Sequence, residues 1–223
     1  MSCRTVILIS GSGSNLQAFI DRLHPDQANI VAVISNRADA YGLERAAKAG
    51  IPTAVLDHRQ FPDRVSYDRA LAELIDTHEP QWVILAGFMR ILSADFVVHY
   101  QGRLLNIHPS LLPKYTGLHT HQRALEAGDS EHGATVHFVT EELDGGPAIM
   151  QSRVPVLPDD TPDTLGDRVR QTEHQLYPLA AMLCMNGRLR LVDGQVHLDG
   201  TPIAPSGLRL EQFKTDMRGL HND

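Results

Sequence analysis

Short runs of β-branched and aliphatic residues alternate with helical segments along most of this chain, and that alternation limits its fold more than any other feature. Thr5 to Ile9 is apolar and runs into Ser10-Gly11-Ser12-Gly13-Ser14-Asn15, after which Leu16, Phe19, Ile20 and Leu23 recur at helical spacing. Ile30 to Ile34 reads as a second strand, Leu43 to Ala49 as a helix ended by Gly50, and Thr53 to Leu56 as a third strand. Pro62-Asp63 opens a helix reaching Thr77, with Val65, Ala70, Leu71, Leu74 and Ile75 expected on its buried side. Trp82 to Ala86 is the fourth strand, Ser93 caps a short helix, and Leu104 to Ile107 is a fifth strand stopped by Pro109. A turn-rich segment follows through Leu118, long enough to suggest a functional loop. His119 to Ala127 reads as helix, Ala134 to Val139 and Ala148 to Val154 as strands, and Thr161 to Met185 as a long helix. Leu189 to Leu191 and Gln195 to Leu198 look like a closing hairpin around Asp193-Gly194.

Strands separated by helices pair in parallel through right-handed crossovers, so the expectation is an α/β fold: a mainly parallel twisted sheet with helices on both faces. The 223 residues suit one domain. Within it, about 1–100 form a Rossmann-like phosphate-binding half, about 101–187 a second half with the chemistry, and 188–223 a C-terminal hairpin and tail. Ligands of such sheets bind beyond the carboxyl ends of the strands. That rule draws the eye to the residues after Ile9, Ala86 and Ile107.

Composition narrows the class of partner. Lys+Arg 20 against Asp+Glu 27 leaves a net charge of -7, and the arginines never gather into a basic stripe, so no nucleic acid is expected. Any phosphate must be held locally. The apolar run after Arg4 is too short for a signal core or a membrane span, and the two cysteines, Cys3 and Cys184, stand far apart with no metal-binding spacing. A cytoplasmic protein with no membrane partner is expected, as a monomer or weak homodimer.

Gly11 and Gly13 permit positive φ and close ligand approach, and the helix that follows offers unpaired N–H groups with partial positive charge. Gly11, Ser12, Gly13, Ser14 and Asn15 are thus a candidate phosphate loop. A dinucleotide fingerprint needs a third glycine where Leu16 stands, and a Walker loop needs Gly-Lys-Ser/Thr. Strand two ends in Ser35-Asn36-Arg37, which leaves open an NADP site with Arg37 on the 2′-phosphate. A glycine turn that simply starts a helix is the plainer alternative.

Asn106 and His108 lie two apart on one strand and share a face, a costly polar interruption at the end of a strand otherwise buried. A pair that only staples the following loop is the bland explanation. Asp144, in a Leu-Asp-Gly-Gly-Pro turn whose glycines are expected to let the backbone approach a ligand, could reach the imidazole. A neighbouring carboxylate favours the charged form of a histidine, which would make His108 a proton donor. A protonated imidazole and an amide N–H suit attack of an amine on an acyl carbon, where charge grows on the carbonyl oxygen. No serine sits in a nucleophile elbow. His108, His119 and His121 are close in a chain with 12 histidines, yet they match no ligand motif, so no metal is expected.

Together Gly11-Ser12-Gly13-Ser14-Asn15-Leu16, Asn106-Ile107-His108-Pro109-Ser110-Leu111-Leu112-Pro113 and Leu143-Asp144-Gly145-Gly146-Pro147 resemble the phosphoribosylglycinamide formyltransferase family, over Val6 to about Gly187. The resemblance implies the formyltransferase fold. It also implies transfer of a formyl group from 10-formyltetrahydrofolate, as co-substrate, to the glycine amine of glycinamide ribonucleotide in purine synthesis. It places the acceptor phosphate on residues 11–15, its ribose hydroxyls on Glu173, the formyl centre at Asn106 and His108, and the balancing charge on Asp144. It assigns the folate to Arg64, to Met89, Arg90, Ile91 and Leu92, and to Asn106. One departure stands out: Tyr115-Thr116-Gly117 replaces the Tyr-Pro-Gly of many relatives, which removes a φ restraint from the loop between Lys114 and His119. A formyltetrahydrofolate hydrolase or a methionyl-tRNA formyltransferase shares the Asn, His and Asp but calls for extra domains. A non-enzymatic sensor of a phosphorylated ligand is the alternative from another class.

Overall fold

The computed structural model describes residues 2–213. Its contacts gather into two compact units, Met1–Asn106 with Val139–Glu142, and Ile107–Phe138 with Leu143–Asp223.

The first unit is built from βα repeats. Strands β1 (Cys3–Ile9), β2 (Ala28–Ser35), β3 (Thr53–Val55) and β4 (Trp82–Leu85) alternate with helices α1 (Ser14–Arg22), α2 (Gly42–Lys48), α3 (Arg64–Asp76) and α4 (Ala94–His99). The strand β5 (Leu104–His108) closes the series, and the division between the units falls inside it. Every pairing here is parallel: β4 lies between β1 and β5, and β1 continues to β2 and β3. Central parallel strands carry apolar side chains on both faces, which is why Val6, Ile7, Leu8 and Ile9 are all fully buried. Val6 and Leu8 join Tyr67, Leu71 and Ile75 of α3 and Phe96 and Tyr100 around α4 in one cluster. Ile9 points to the other face, where a Cβ added to Gly42 of α2 would come 2.5 Å from its Cδ1. Helices therefore cover both sides of these strands.

The stripe of α3 differs from expectation. Val65 is 43 % exposed, and the inward positions are Tyr67, Asp68, Leu71 and Ile75. The register follows Tyr67, whose large ring buries more apolar surface than a valine. Asp68 accompanies it inward because its Oδ2 accepts the Ser93 N–H at 2.5 Å. Burial raises the pKa of that carboxyl. Ser93 holds the N-cap position of α4 without a side-chain cap bond, so its backbone, anchored on Asp68, sets the helix start.

In the second unit β6 (Glu131–Phe138) and β7 (Ala148–Pro155) pair antiparallel, and α6 (Pro162–Met185) packs on both. Thr161 and Thr164 form a reciprocal capping box and Pro162 sits at the first helical position, where no N–H is needed. The short helix α5 (Thr120–Glu126) also packs on α6. The expected hairpin is present as β8 (Leu189–Val192) and β9 (Gln195–Leu198), and β10 (Thr201–Pro202) extends it. A two-residue strand β11 (Leu208–Arg209) adds parallel to β7. The tail beyond residue 213, part of the expected C-terminal appendage, lies outside the described residues. Among the described residues no helix is long and apolar enough to cross a membrane.

Candidate active site

In the first unit, β1 ends at Ile9 and the chain turns through residues 10–13 into α1. Gly13 occupies the N-cap with φ 68° and ψ 30°, a left-handed conformation, and no side chain caps the helix. The N-terminus of α1, where the helix dipole favours an anion, thus opens at the glycine loop. Gly13 and Asn15 are buried, whereas Gly11 and Ser12 are exposed. Ser10 Oγ donates to Asn36 Oδ1 at 2.6 Å and accepts the Met89 N–H at 2.9 Å, so one hydroxyl ties the glycine loop to the segment 89–92. In that segment Met89 is 67 % and Ile91 55 % exposed, Leu92 is partly buried, and the Arg90 guanidinium lies 4.8 Å from the centre of the Tyr67 ring. Arg64, at the start of α3, is exposed. Asn106 ends the first of the two segments that make up this unit and pairs in register with Leu85.

In the second unit, His108 Nδ1 stands 3.4 Å from Asp144 Oδ2, with both side chains nine-tenths buried or more. The other ring nitrogen, Nε2, is 2.8 Å from the Tyr115 carbonyl oxygen. Asp144 Oδ2 also accepts the Gly117 N–H at 2.8 Å. The segment from 109 to 119 thus surrounds the imidazole, with Tyr115 at φ 55° and His119 at φ 57°. Asp144 itself takes the left-handed conformation, φ 53°. Aspartate tolerates that region better than most residues, and the twist aims its carboxylate at the ring.

The loop around Thr116 is tied at several points despite the missing proline. Arg123 Nη1 donates to the Thr116 carbonyl at 2.6 Å, and Tyr115 Oη and Lys114 Nζ both donate to Asp129. Farther back, Thr135 Oγ1 donates to the Ser110 carbonyl at 2.7 Å and accepts from Leu112 N–H, while Gln151 Nε2 donates to the Leu112 carbonyl. Glu173, on α6, is 8 % exposed, unlike an ordinary surface acid. His121 pairs with His132 instead of His108: His132 Nε2 and His121 Nδ1 are 3.0 Å apart. Burial lowers the pKa of both, that of His132 to about 4. Among the described residues, no group of three His, Cys, Asp or Glu could hold a metal ion. Sequence reading did not single out the Tyr115 carbonyl, the Gly117 N–H, Gly42 or Arg45. Backbone groups carry no residue signature, and the last two lie on a helix some thirty residues from the loop they touch.

The formyl transferase family profile matches residues 3–181. Phosphoribosylglycinamide formyltransferase of Escherichia coli (strain K12) is 54 % identical over 209 residues, 93 % of this chain and 99 % of that protein. The enzyme of the same name from Haemophilus influenzae is 48 % identical over 206 residues, 92 % of this chain and 97 % of that protein. The structure of phosphoribosylglycinamide formyltransferase from Coxiella burnetii, in complex with CHES, superposes with a TM-score of 0.90 at 52 % identity, over 94 % of this chain and 99 % of that one. The fold, the motifs and these likenesses agree, and the chain belongs to the formyl transferase family, in its phosphoribosylglycinamide formyltransferase branch.

Proposed function

We propose that the chain, acting in the cytoplasm, moves the formyl group of 10-formyltetrahydrofolate onto the glycine amine of glycinamide ribonucleotide, with His108 as acid and electrostatic stabiliser. The observation that carries this reading is the imidazole held between two acceptors, Asp144 Oδ2 and the Tyr115 carbonyl. The Tyr115 carbonyl can only accept, so the nitrogen facing it carries the hydrogen, and the Asp144 carboxylate lies against the other ring nitrogen. The amine attacks the formyl carbon, a C–N bond forms, and the carbonyl electrons move to oxygen. Asn106 and His108 stabilise that oxyanion. Collapse breaks the bond to the folate nitrogen, and the proton lost by the amine ends on that leaving nitrogen through the imidazole. Nε2 reaches the substrate oxygen by exchanging it for the Tyr115 carbonyl, while Asp144 retains Nδ1.

Gly11, Ser12, Gly13, Ser14 and Asn15 hold the acceptor phosphate, and Glu173 accepts hydrogen bonds from the ribose. Exposed Met89 and Ile91, with Leu92, Arg90 and Arg64, form the folate contact. An apolar surface next to backbone polar groups suits a flat heteroaromatic ring. Mixing the protein with 10-formyltetrahydrofolate, with and without glycinamide ribonucleotide, tests the reading by spectroscopy. Deformylation that needs the amine and yields formylated product is expected. Equal deformylation without the amine would show a hydrolase, and none under either condition a binding protein.

A further inference from the structure

We infer that Arg45, on α2, is the positioning residue that fixes the glycine loop in its anion-binding shape, an inference resting on the reading of residues 11–15 as the phosphate site. Two successive carbonyls of the loop are turned toward α2. The Gly11 carbonyl accepts the Gly42 N–H at 3.0 Å, and the Ser12 carbonyl accepts from Arg45 Nε at 2.8 Å. In a trans peptide the N–H points opposite to the C=O. Anchoring these two carbonyls therefore turns the N–H groups of Ser12 and Gly13 away from α2, both to the same side. Consecutive N–H groups on one side of a loop make a concave anion site, and here it leads into the N-terminus of α1, which no side chain caps.

The guanidinium is itself held on three sides. Nη1 donates to Gln17 Oε1 at 3.1 Å, in the second turn of α1, and the Cζ atom lies 4.9 Å from the centre of the Tyr41 ring. One planar fork thus spans the loop and the helix that follows it, with its face against an aromatic ring. Lysine carries the same charge but a single tetrahedral donor head and cannot bond both oxygens in this geometry. The local contribution is conformational: it selects one peptide orientation out of the many that a Gly-Ser-Gly segment can adopt.

The test compares Arg45→Met and Arg45→Lys with the parent in the full chain, with Gly13→Val as control. The readouts are turnover, the Michaelis constants of both substrates, the inhibition constant of inorganic phosphate against the amine substrate, and the melting temperature. Arg45→Met is expected to raise the acceptor constant by about tenfold, equal to about 1.4 kcal/mol. Phosphate inhibition should weaken in proportion, with turnover and the folate constant within about twofold of the parent. Arg45→Lys is expected to show an intermediate loss, and it decides the matter if the methionine variant does not fold. Unchanged acceptor and phosphate constants overturn the inference, and so does an equal fall in all kinetic constants that follows the melting temperature. If Gly13→Val raises the acceptor constant while Arg45 variants do not, only the arginine assignment fails. If Gly13→Val also leaves both constants unchanged, the phosphate-loop reading fails with it.

Discussion

Gly13 and Gly42 pack backbone against backbone: a Cβ built on Gly13 would lie 2.6 Å from the Cα of Gly42, and one built on Gly42 would lie 3.1 Å from the Cα of Gly13. Neither position has room for a side chain, and Gly13 also has positive φ. Gly42→Ala must push α2 and the loop apart, which lengthens the Gly42 N–H to Gly11 carbonyl bond. The expected result is an acceptor Michaelis constant raised by about tenfold or more, with a smaller change in turnover. Steady-state kinetics with the amine varied at saturating folate checks it, and an unchanged constant would refute a tight glycine contact as the basis of acceptor binding.

The ring of His108 and the carboxylate of Asp144 give the sharpest kinetic prediction. His108→Ala removes the donor, and Asp144→Asn keeps the shape and the bond from Gly117 but deletes the charge facing Nδ1. Each is expected to lower turnover by at least about a hundredfold, the usual scale for loss of a general acid or of an electrostatic partner. The double variant should lose little more than the worse single one, because two residues acting as a unit are not additive. Near-normal turnover in either single variant, with formation of formylated product followed directly, would sink the assignment.

The strand and helix alternation was readable because strands buried on both faces cannot hide: runs such as Val6 to Ile9 have no other plausible place. The polar exceptions were readable for the same reason, and Asn106 and His108 stand out against Leu104, Leu105 and Ile107. Thr201–Pro202 and Leu208–Arg209 were not, since two-residue strands carry no periodicity and are defined wholly by their partners. Helical spacing alone puts Val65 on the inward stripe, although the packing of Tyr67 decides the helix register. Supports such as Arg45 on Ser12 depend on a contact across 33 positions, and no local pattern encodes it.

Acid should loosen the second unit through His132. That side chain is 1 % exposed, on β6, and faces His121 of α5. Burial and His121 lower the pKa of His132 to about 4, Asp129 and the Pro109 backbone opposing in part. With its folded pKa below the ordinary value of about 6.5, the native state refuses a proton that the unfolded chain accepts. Stability is therefore unaffected above about pH 6.5 and falls as pH drops from there toward 4, by up to about 1.4 kcal/mol per unit for one such group. Thermal melts of the parent and of His132→Gln across that window should show a shallower decline in the variant. Parallel curves would mean that the pair does not control acid stability.

Exposure separates binding from stability at the segment 89–92. Met89 and Ile91 present large apolar side chains to solvent at 67 % and 55 %, although exposed apolar surface brings no folding advantage. Replacing Ile91 with lysine should therefore leave the melting temperature nearly unchanged, since surface substitutions of this kind fall within about 0.5 kcal/mol. If the segment contacts the folate, the same change puts a hydrated cation where a flat ring is to stack, and the folate Michaelis constant should rise by about tenfold or more. The acceptor constant, set by the glycine loop, should stay within about twofold. A folate constant that does not move would mean the exposed methionine and isoleucine serve some other surface, and the donor would have to be sought elsewhere on the chain.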